Sequence, residues 1–362
     1  MNKSKPLVSV VIPTYNGSKY IWRAIESVLM QNFPDYEIVI SDNCSTDNTR
    51  EIVLDYIKKY GVKIKYYRNN ENIGYPANLR KLIYELSQGE YIAILCDDDY
   101  YCDRNALSYC VDVLEKNSNV GFVFSKFDIK TEESEFTMEL CDKSKNKIEA
   151  LYDIEKGENF FLNFGEYINK GYPLLSTLFI RRSIAEESKI FTEDNFKYCP
   201  DLIAVQKMLL ITDAARINRK LVVYSWRPSN LSHQFKINEM FREEIRSVDY
   251  VYSFAKEKGI QIDKLNNWRK KEKDRHASGK VYHVFSELER GYLDISNSRK
   301  IMKTLFFDIL KNSFRTILKP KIMLRITVTI LSNDKSFKII KGMWKKLKKF
   351  SKIRNSSEWL HE

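Results

Sequence analysis

The first third of the chain alternates continuous apolar runs with segments whose apolar residues recur every three or four positions. Val8–Pro13 is a β-branched run typical of a strand buried on both faces. From Tyr20 to Leu29 the apolar spacing is that of an amphipathic helix. Further strands are predicted at Tyr36–Ser41, Ile64–Arg68 and Tyr91–Cys96, and helices after Ser45 and over Ala77–Leu86. Such repetition predicts an α/β fold with right-handed crossovers, a mostly parallel sheet and flanking helices.

The pattern becomes less regular after this part and then purely helical. Strands are predicted at Gly121–Ile129, Ser176–Arg181 and Leu221–Trp226. From Phe235 onward the chain has the periodicity of amphipathic helices, so we place a domain boundary at 234. The prediction is an α/β domain at 1–234, divided at about 125, followed by a helical C-terminal region at 235–362.

The positive charge of the chain is concentrated near its C-terminus. The 362 residues include 60 Lys and Arg against 48 Asp and Glu, a net charge of +12. The stretch 299–355 holds 17 basic and two acidic residues, so the remainder carries a net charge of −3. A nearly neutral body argues against nucleic-acid binding, and we expect no nucleic acid among the partners.

The basic stretch also contains Ile, Leu, Phe and Trp344 at helical spacing. Basic amphipathic helices bind at the interface of anionic membranes, so the sequence predicts peripheral association with a membrane surface. A packing surface for a homo-oligomer partner and nonspecific binding to polyanions are the alternatives.

Cysteine usage and the N-terminus indicate a reducing compartment. Six cysteines form no CxxC pair and have no neighbouring histidines, which argues against a zinc site. The apolar run before Pro13 is too short for a signal peptide, and no run approaches the length of a membrane span. We therefore expect a cytoplasmic protein with reduced thiols, located at the inner face of the cell membrane.

Polar residues follow three of the predicted strands where each one ends. They lie at Pro13–Gly17, Ser41–Asn43 and Asp97–Asp99. Carboxyl ends of parallel strands meet at one edge of a sheet, which is where such folds bind ligands. Three adjacent carboxylates raise one another's pKa, and a divalent cation such as Mg²⁺ or Mn²⁺ would relieve the repulsion. A solvated acidic turn is the alternative interpretation.

Four segments, taken in order, resemble the inverting glycosyltransferases of family 2. They are VSVVIPTYNG, EIVISDNCSTDNT, NENIGYPANLR and GEYIAILCDDDYY, and the resemblance covers roughly residues 6–130. It implies the GT-A fold, which is Rossmann-like, and sugar transfer with inversion from a UDP- or dTDP-sugar to a hydroxyl of a glycan or lipid-linked glycan. It also implies Mn²⁺ or Mg²⁺ as cofactor.

The resemblance assigns donor-binding residues position by position. Asp42 lies where the family binds the base, and a carboxylate suits the imide N–H of uracil or thymine. A turn or helix cap is the alternative role for Asp42, and turn chemistry is the alternative for the third segment. Residues at positions implied to contact or underlie the nucleotide are Pro13, Thr14, Tyr15, Asn16, Asn72, Gly74 and Asn78.

The acidic run corresponds to the metal-binding DxD region of the family, with one departure. Many relatives have an acid where this chain has Cys96, which leaves the register of the ligands open. Asp98 and Asp99 rank first as metal ligands, and Asp97 and Asp98 are also expected to contact the donor.

The family supplies a general base about a hundred residues later, often in a Glu-Asp or Pro-Asp pair that opens a helix. Asp201 in Cys199-Pro200-Asp201 fits this pattern and is our predicted base, because an inverting transfer must deprotonate the attacking hydroxyl. The alternative is that Asp201 only stabilises the helix N-terminus through the helix dipole. Asp194, in a Glu-Asp pair, is the rival candidate.

A block after the base, from Tyr224 to Gln234, resembles a family segment in which a strand leads to a polar loop. Arg227 is expected to pair with the leaving phosphates. His233 is expected to bind the metal or to steady the diphosphate, with a surface imidazole as the alternative. A non-catalytic nucleotide-sugar-binding or scaffold protein of the same fold is the second hypothesis for the whole chain.

Overall fold

We analysed a computed structural model, which describes residues 5–131, 150–168, 171, 173–226, 236–333, 336–337 and 341. Its contacts divide the chain into two compact units, Met1–His233 and Gln234–Glu362. The strands of the first unit are β1 Val8–Thr14, β2 Tyr36–Asp42, β3 Ile64–Arg68, β4 Tyr91–Ile94, β5 Tyr100–Tyr101, β6 Val120–Thr131, β7 Tyr152–Glu155, β8 Phe179–Arg181 and β9 Asp213–Trp226.

Helices of the first unit cover the sheet. They are α1 Ile21–Leu29, α2 Thr49–Tyr60, α3 Tyr75–Lys81, α4 Ala106–Lys116, α5 Gly157–Leu162, α6 Phe164–Ile168, α7 Arg182–Ser188 and α8 Pro200–Leu209. A π-helical turn at Leu82–Leu86 extends α3, so the predicted helix at Ala77–Leu86 is present with one irregular turn.

The described strands form one sheet in the order β3-β2-β1-β4-β8-β6-β9-β5, with β7 paired to β9. Strands β3, β2, β1 and β4 are parallel, in agreement with the predicted crossovers. Beyond β4 the sheet is mixed: β8 runs antiparallel to both β4 and β6, whereas β6 and β9 are parallel. The all-parallel arrangement thus ends at β4, and the antiparallel strand β8 separates it from the parallel pair of β6 and β9.

The core explains why the first strands are continuous apolar runs. All seven residues of β1 and all seven of β2 are buried, because helices cover both faces of the parallel part. Ile12, Ile40 and Ala93 from the strands share one cluster with Ile25 of α1 and Leu114 of α4. This packing fixes the edge at which β1, β2 and β4 end.

The C-terminal unit is helical over its described residues. Its helices are α9 Ile237–Glu257, α10 Ile262–Arg290, α11 Ile295–Asn312, α12 Phe314–Ile317 and α13 Pro320–Leu331. Their apolar faces meet mainly in one cluster, which contains Phe241, Ile245, Val281, Val284, Met302, Leu305, Ile309, Ile317, Ile322 and Ile326. A smaller cluster contains Phe285, Leu288, Ile295, Val328 and Phe337.

The larger cluster shows that part of the basic segment belongs to the core of the C-terminal unit. Met302, Leu305, Ile309 and Ile326 all lie after Arg299, and each is at most 3% exposed. An apolar stripe on a helix can pack against protein or lipid, and here this part of the stripe packs against α9 and α10. Trp344 and most of the later lysines lie outside the described residues. Within the described part of the chain, no helix is both long and apolar enough to span a bilayer.

Candidate active site

The carboxyl ends of β1, β2 and β4 bring the first predicted site residues together. The register pairs Thr14 of β1 with Asp42 of β2, and the backbone N–H of Asn43 donates to the Thr14 carbonyl oxygen at 2.8 Å. The Thr14 hydroxyl donates to Asp97 Oδ2, beyond β4, at 2.5 Å. A Cβ atom at position 17 would lie 2.2 Å from Asp97 Oδ2, so Gly17 permits this close approach.

The turn after β1 is joined to the turn after β2 through Asn16. Asn16 has a positive φ of 52° and donates its backbone N–H to Ser45 Oγ at 2.9 Å. Its side-chain oxygen accepts from the Thr46 backbone N–H at 2.8 Å. Pro13 is buried within β1, whereas the Tyr15 side chain is exposed. The two turns therefore form one polar ledge with an aromatic ring on its outer side.

Asp42 is fully buried at this ledge. Its Oδ1 accepts from the Ser45 backbone N–H at 2.8 Å, and its Oδ2 accepts from the Tyr66 hydroxyl at 2.5 Å. Arg68 Nε lies 3.8 Å from Oδ2. Burial and the Asp42 carboxylate raise the pKa of Tyr66. These contacts hold the carboxylate in one orientation, and its contact with a base remains a prediction.

Asn78 of α3 anchors the end of β2 from below. Its Oδ1 accepts from Ser41 Oγ at 2.6 Å and from Asn69 Nδ2 at 2.9 Å. Its Nδ2 donates to the Ser41 carbonyl oxygen at 2.9 Å. Asn78 is 2% exposed and holds the end of β2 in place, and its position beneath the donor stays a prediction.

Asn72 and Gly74 shape the loop that leads into α3. Asn72 Oδ1 accepts from Asn43 Nδ2 at 2.8 Å and from the Gly74 backbone N–H at 2.9 Å. Gly74 precedes α3 with a φ of 83°, a conformation that favours glycine. The third predicted segment thus adjoins the first two through side-chain amides.

The three consecutive aspartates have different surroundings. Asp99 is 2% exposed, and its two oxygens accept from Ser176 Oγ at 2.5 Å and from the Ser225 backbone N–H at 2.9 Å. Burial, with the charge of Asp98 added, raises the pKa of Asp99 well above its usual range. Asp98 is half-buried, and its carbonyl oxygen accepts from Ser225 Oγ at 2.6 Å.

The acidic turn offers donor atoms suited to a divalent cation. One ligand atom each of Cys96, Asp98 and Asp99 lies within 4.8 Å of the other two. Carboxylate oxygens are the ligands that Mg²⁺ and Mn²⁺ prefer, whereas a thiol is a soft ligand. Burial, followed by the charges of Asp99 and Asp98, raises the pKa of Cys96 well above its usual value. Asp98 and Asp99 therefore fit such an ion through oxygen, next to a protonated sulfur.

Asp201 lies in the first turn of α8, directly after Pro200 at the helix start. Burial raises the pKa of Tyr75 well above its usual value, and electrostatic contributions from Cys96 and Asp201 act in the same direction. The Tyr75 ring therefore lies within electrostatic range of both the acidic turn and the predicted base.

The rival base, Asp194, is engaged elsewhere. Arg80 Nη1 donates to Asp194 Oδ1 at 2.5 Å, and the Asp194 side chain is 74% exposed. Its neighbour Glu193 forms a buried ion pair with Lys207 of α8. Neither acid of this pair has the half-buried setting of Asp201.

Two predicted residues, Arg227 and His233, lie outside the described residues. Other residues at the site were missed by sequence reasoning: Tyr66, Tyr75, Ser176 and Ser225. Ser176 and Ser225 come from parts of the chain 77 and 126 residues away from Asp99, so only the topology of the sheet reveals them.

Comparisons with known proteins agree with this architecture. Residues 9–188 match the family described as glycosyl transferase family 2. TuaG of Bacillus subtilis, a glycosyltransferase provisionally assigned to teichuronic acid biosynthesis, is 43% identical over 99 residues, which are 27% of this chain and 38% of TuaG. The poly(ribitol-phosphate) β-N-acetylglucosaminyltransferase TarS of Staphylococcus aureus is 37% identical over 120 residues, which are 33% of this chain and 21% of TarS.

The crystal structure of residues 1–349 of S. aureus TarS in complex with UDP-GlcNAc superposes with a TM-score of 0.62 at 15% identity. The superposition covers 95% of this chain and 92% of that one. The predicted fold class, an α/β GT-A domain with a helical C-terminal region, is thereby confirmed. Through its residues 9–188, this chain belongs to glycosyl transferase family 2.

Proposed function

We propose that this protein is an inverting glycosyltransferase that moves a sugar from a UDP- or dTDP-sugar to a hydroxyl of a glycan or lipid-linked glycan. The observation that carries the proposal is the meeting of Thr14, Asp42 and the run Asp97–Asp99 at one edge of a parallel sheet. Ligands of open α/β sheets bind at this edge, and the residue types suit a nucleoside diphosphate.

The ledge of β1 and β2 is the proposed nucleotide site. Asp42 would accept the imide N–H of the base, with Tyr66 and Ser45 holding the carboxylate in place. Tyr15 offers an exposed ring beside it, and Asn16 fixes the turn. UDP-GlcNAc and UDP are bound in structures of TarS, which supports a uridine donor here.

Asp98 and Asp99 would hold Mn²⁺ or Mg²⁺ at the acidic turn. We assign His233 as a further ligand of this ion. When bound, such an ion neutralises diphosphate oxygens and stabilises the leaving group. Asp97, fixed by Thr14, and Arg227 are the further residues that we assign to the donor. Hydrogen bonds from Ser176 and from the backbone of Ser225 hold Asp99 in place. Asp99 would therefore keep the acidic turn in shape and also provide a carboxylate oxygen to the ion.

Asp201 is the proposed general base. It would take the proton of the acceptor hydroxyl while the acceptor oxygen bonds to the anomeric carbon and the nucleoside diphosphate departs from the opposite face. Asp201 and Cys96 both contribute to the raised pKa of Tyr75, which supports a location of Asp201 beside the acidic turn. Asp194 is the weaker candidate because its carboxylate is paired with Arg80.

For the acceptor, we propose a cell-surface polysaccharide or its lipid-linked precursor. TarS is named for poly(ribitol-phosphate), and TuaG for teichuronic acid. The net charge of +15 over residues 299–355 supports a location of the protein at the inner face of the cell membrane, where the lipid surface is anionic. Assembly as a homo-oligomer is the alternative use of that segment.

Release of nucleoside diphosphate tests the proposal. The full chain is incubated with a panel of UDP- and dTDP-sugars and of acceptor glycans, with Mn²⁺, with Mg²⁺ or with EDTA. We expect metal-dependent release for at least one donor. The resemblance implies an acid in many family members where this chain has Cys96, which favours a second candidate: a protein that binds nucleotide sugars without transferring them. Tight donor binding with no release for any acceptor glycan would support that candidate and contradict ours.

A further inference from the structure

Exposed apolar side chains are concentrated where α11 ends and α13 begins. We call residues 307–324 the α12 corner. Phe307 is 68% exposed, Phe314 55%, Leu318 61% and Leu324 49%. In the same stretch Ile309, Ile317 and Ile322 are buried in the core of the unit. The exposed residues are therefore additional to those that the helices need for packing.

The shape of the corner is fixed by contacts to α10. Helix α11 ends before Ser313, whose hydroxyl donates to Asp274 Oδ1 of α10. Thr316 Oγ1 donates to the same carboxylate oxygen at 2.9 Å. Phe314 and Leu318, which flank Thr316 and Ile317, are thus presented on an anchored turn.

The corner is also cationic. Lys311, Arg315, Lys319 and Lys321 are exposed and alternate with the apolar residues. Asp308 is the single acid in 307–324, and Arg242 Nε lies 3.0 Å from its Oδ2. A surface of Phe and Leu interleaved with Lys and Arg combines an apolar contact with attraction to negative charge.

We infer that the α12 corner docks onto an anionic lipid bilayer, with Phe314 and Leu318 entering the interface and the surrounding cations meeting lipid headgroups. A second copy of this chain would bring like charges together across the contact, which disfavours it. A nucleic acid would leave the apolar side chains without a partner. The inference rests on the proposed membrane location, but it assigns the contact to a folded corner and not to the terminal residues alone.

Binding of the full chain to vesicles tests the inference. Neutral phosphatidylcholine vesicles are compared with vesicles that also contain phosphatidylglycerol, by flotation at low and high salt. The test variant is Phe314→Ser with Leu318→Ser. The matched control is Ile262→Ser with Tyr292→Ser, because these residues are 44% and 65% exposed in the same unit. Neither double variant changes the net charge, so a difference between them reports the apolar contact.

We expect wild type and control to bind the anionic vesicles equally, and the Phe314/Leu318 variant to bind at least about tenfold more weakly. Salt should weaken wild-type binding without abolishing it, since the apolar contribution is not screened. A second variant, Lys311→Glu with Arg315→Glu, should lose binding as well. It keeps the test decisive if the serine variant does not fold, as judged by circular dichroism.

Three results would overturn the inference. Equal vesicle binding by wild type and the Phe314/Leu318 variant would exclude the α12 corner as the site of membrane contact. The terminal basic residues could then still bind the membrane. Dissociation of a dimer by that variant, with lipid binding unchanged, would make a second copy the occupant. If the wild-type chain does not bind anionic vesicles, the proposed location at the membrane is wrong as well. Donor-dependent release of nucleoside diphosphate is measured separately, so the proposed chemistry stands or falls independently.

Discussion

The three neighbouring aspartates after β4 are distinguished by what each carboxylate contacts. Asp97 accepts from Thr14, and both oxygens of Asp99 accept from residues far away in the chain. Asp98 lies between them and is half-buried. The sequence leaves the register of the metal ligands open because Cys96 interrupts the family pattern. The contacts fix the carboxylates of Asp97 and Asp99, and the register of the metal ligands within the run stays a prediction.

Asp201→Asn should leave donor affinity nearly unchanged and lower the rate of transfer by about 10²- to 10⁴-fold, the usual cost of losing a general base. An amide keeps the size of the side chain but cannot accept the proton of the hydroxyl. Steady-state rates and donor affinity are measured side by side for this variant.

Asp194→Asn is the control for that measurement, since it removes one charge from an exposed ion pair with Arg80. An exposed pair contributes little, so its transfer rate should match wild type. Normal transfer by the Asp201 variant together with loss in the Asp194 variant would show that the base was assigned to the wrong acid.

Residues that the sequence reveals at this site follow strands, and those that it does not reveal come from distant elements. Thr14, Asp42 and Asp97 were predicted because each stands at a strand end in the repeating part of the chain. Ser176 and Ser225 have no local signal, since a serine beside a strand is ordinary. Their contact with Asp99 depends on how β8 and β9 lie in the sheet, which local patterns do not specify.

At the scale of elements, the first three strands were predicted well, whereas only the last six residues of the long strand β9 were predicted. The predicted and observed bounds of β3 are identical, and those of β1 and β2 differ by one residue. The two-residue strand β5 and the four-residue strand β7 were missed. Such strands are too short for periodicity, and they form only because β9 offers its edge.

Helices α9 and α10 are joined by buried charges as well as by apolar contacts. Glu244 of α9 accepts from His276 Nδ1 at 3.0 Å and lies 2.7 Å from Lys280 Nζ, both on α10. Arg275 Nη2 lies 3.0 Å from His276 Nε2.

Lowering the pH should destabilise the folded C-terminal unit, because Glu244 becomes protonated. Burial alone raises the pKa of this carboxyl group, but hydrogen bonds and charges from His276 and Lys280 outweigh it and lower the pKa from 4.5 to about 2. A lowered pKa stabilises the folded state above the unfolded value, and the contribution is lost as the pH falls from about 5 towards 2. The difference corresponds to roughly 3 kcal/mol at neutral pH.

Urea unfolding of wild type and Glu244→Gln, followed by circular dichroism, measures this contribution. The variant should be less stable at pH 7, and the difference should shrink as the pH approaches 2. Glu239→Gln, on an exposed part of the same helix, is the control and should match wild type throughout. A difference between wild type and Glu244→Gln that is independent of pH would contradict the assignment.

At the scale of the whole molecule, the charge arithmetic located the basic region but not its packing. Residues 299–355 hold the excess of Lys and Arg, yet the apolar positions of α11 and α13 are divided between a buried core and an exposed corner. Periodicity identifies an apolar stripe on a helix without telling whether protein or lipid covers it. The sequence therefore predicts a membrane-binding surface for the whole segment, whereas the structure buries part of it in a helical core.

The central claim is that the edge formed by β1, β2 and β4 binds a nucleoside diphosphate together with a divalent cation. Calorimetric titration of the full chain with UDP, in Mn²⁺ and in EDTA, tests it most directly. We predict binding in Mn²⁺ and a loss of at least about tenfold in EDTA or in Asp98→Ala. The control Asp112→Ala, which removes an exposed carboxylate paired with Lys116, should bind as wild type does. Equal UDP affinity with and without the metal, in wild type and in Asp98→Ala alike, would contradict the account.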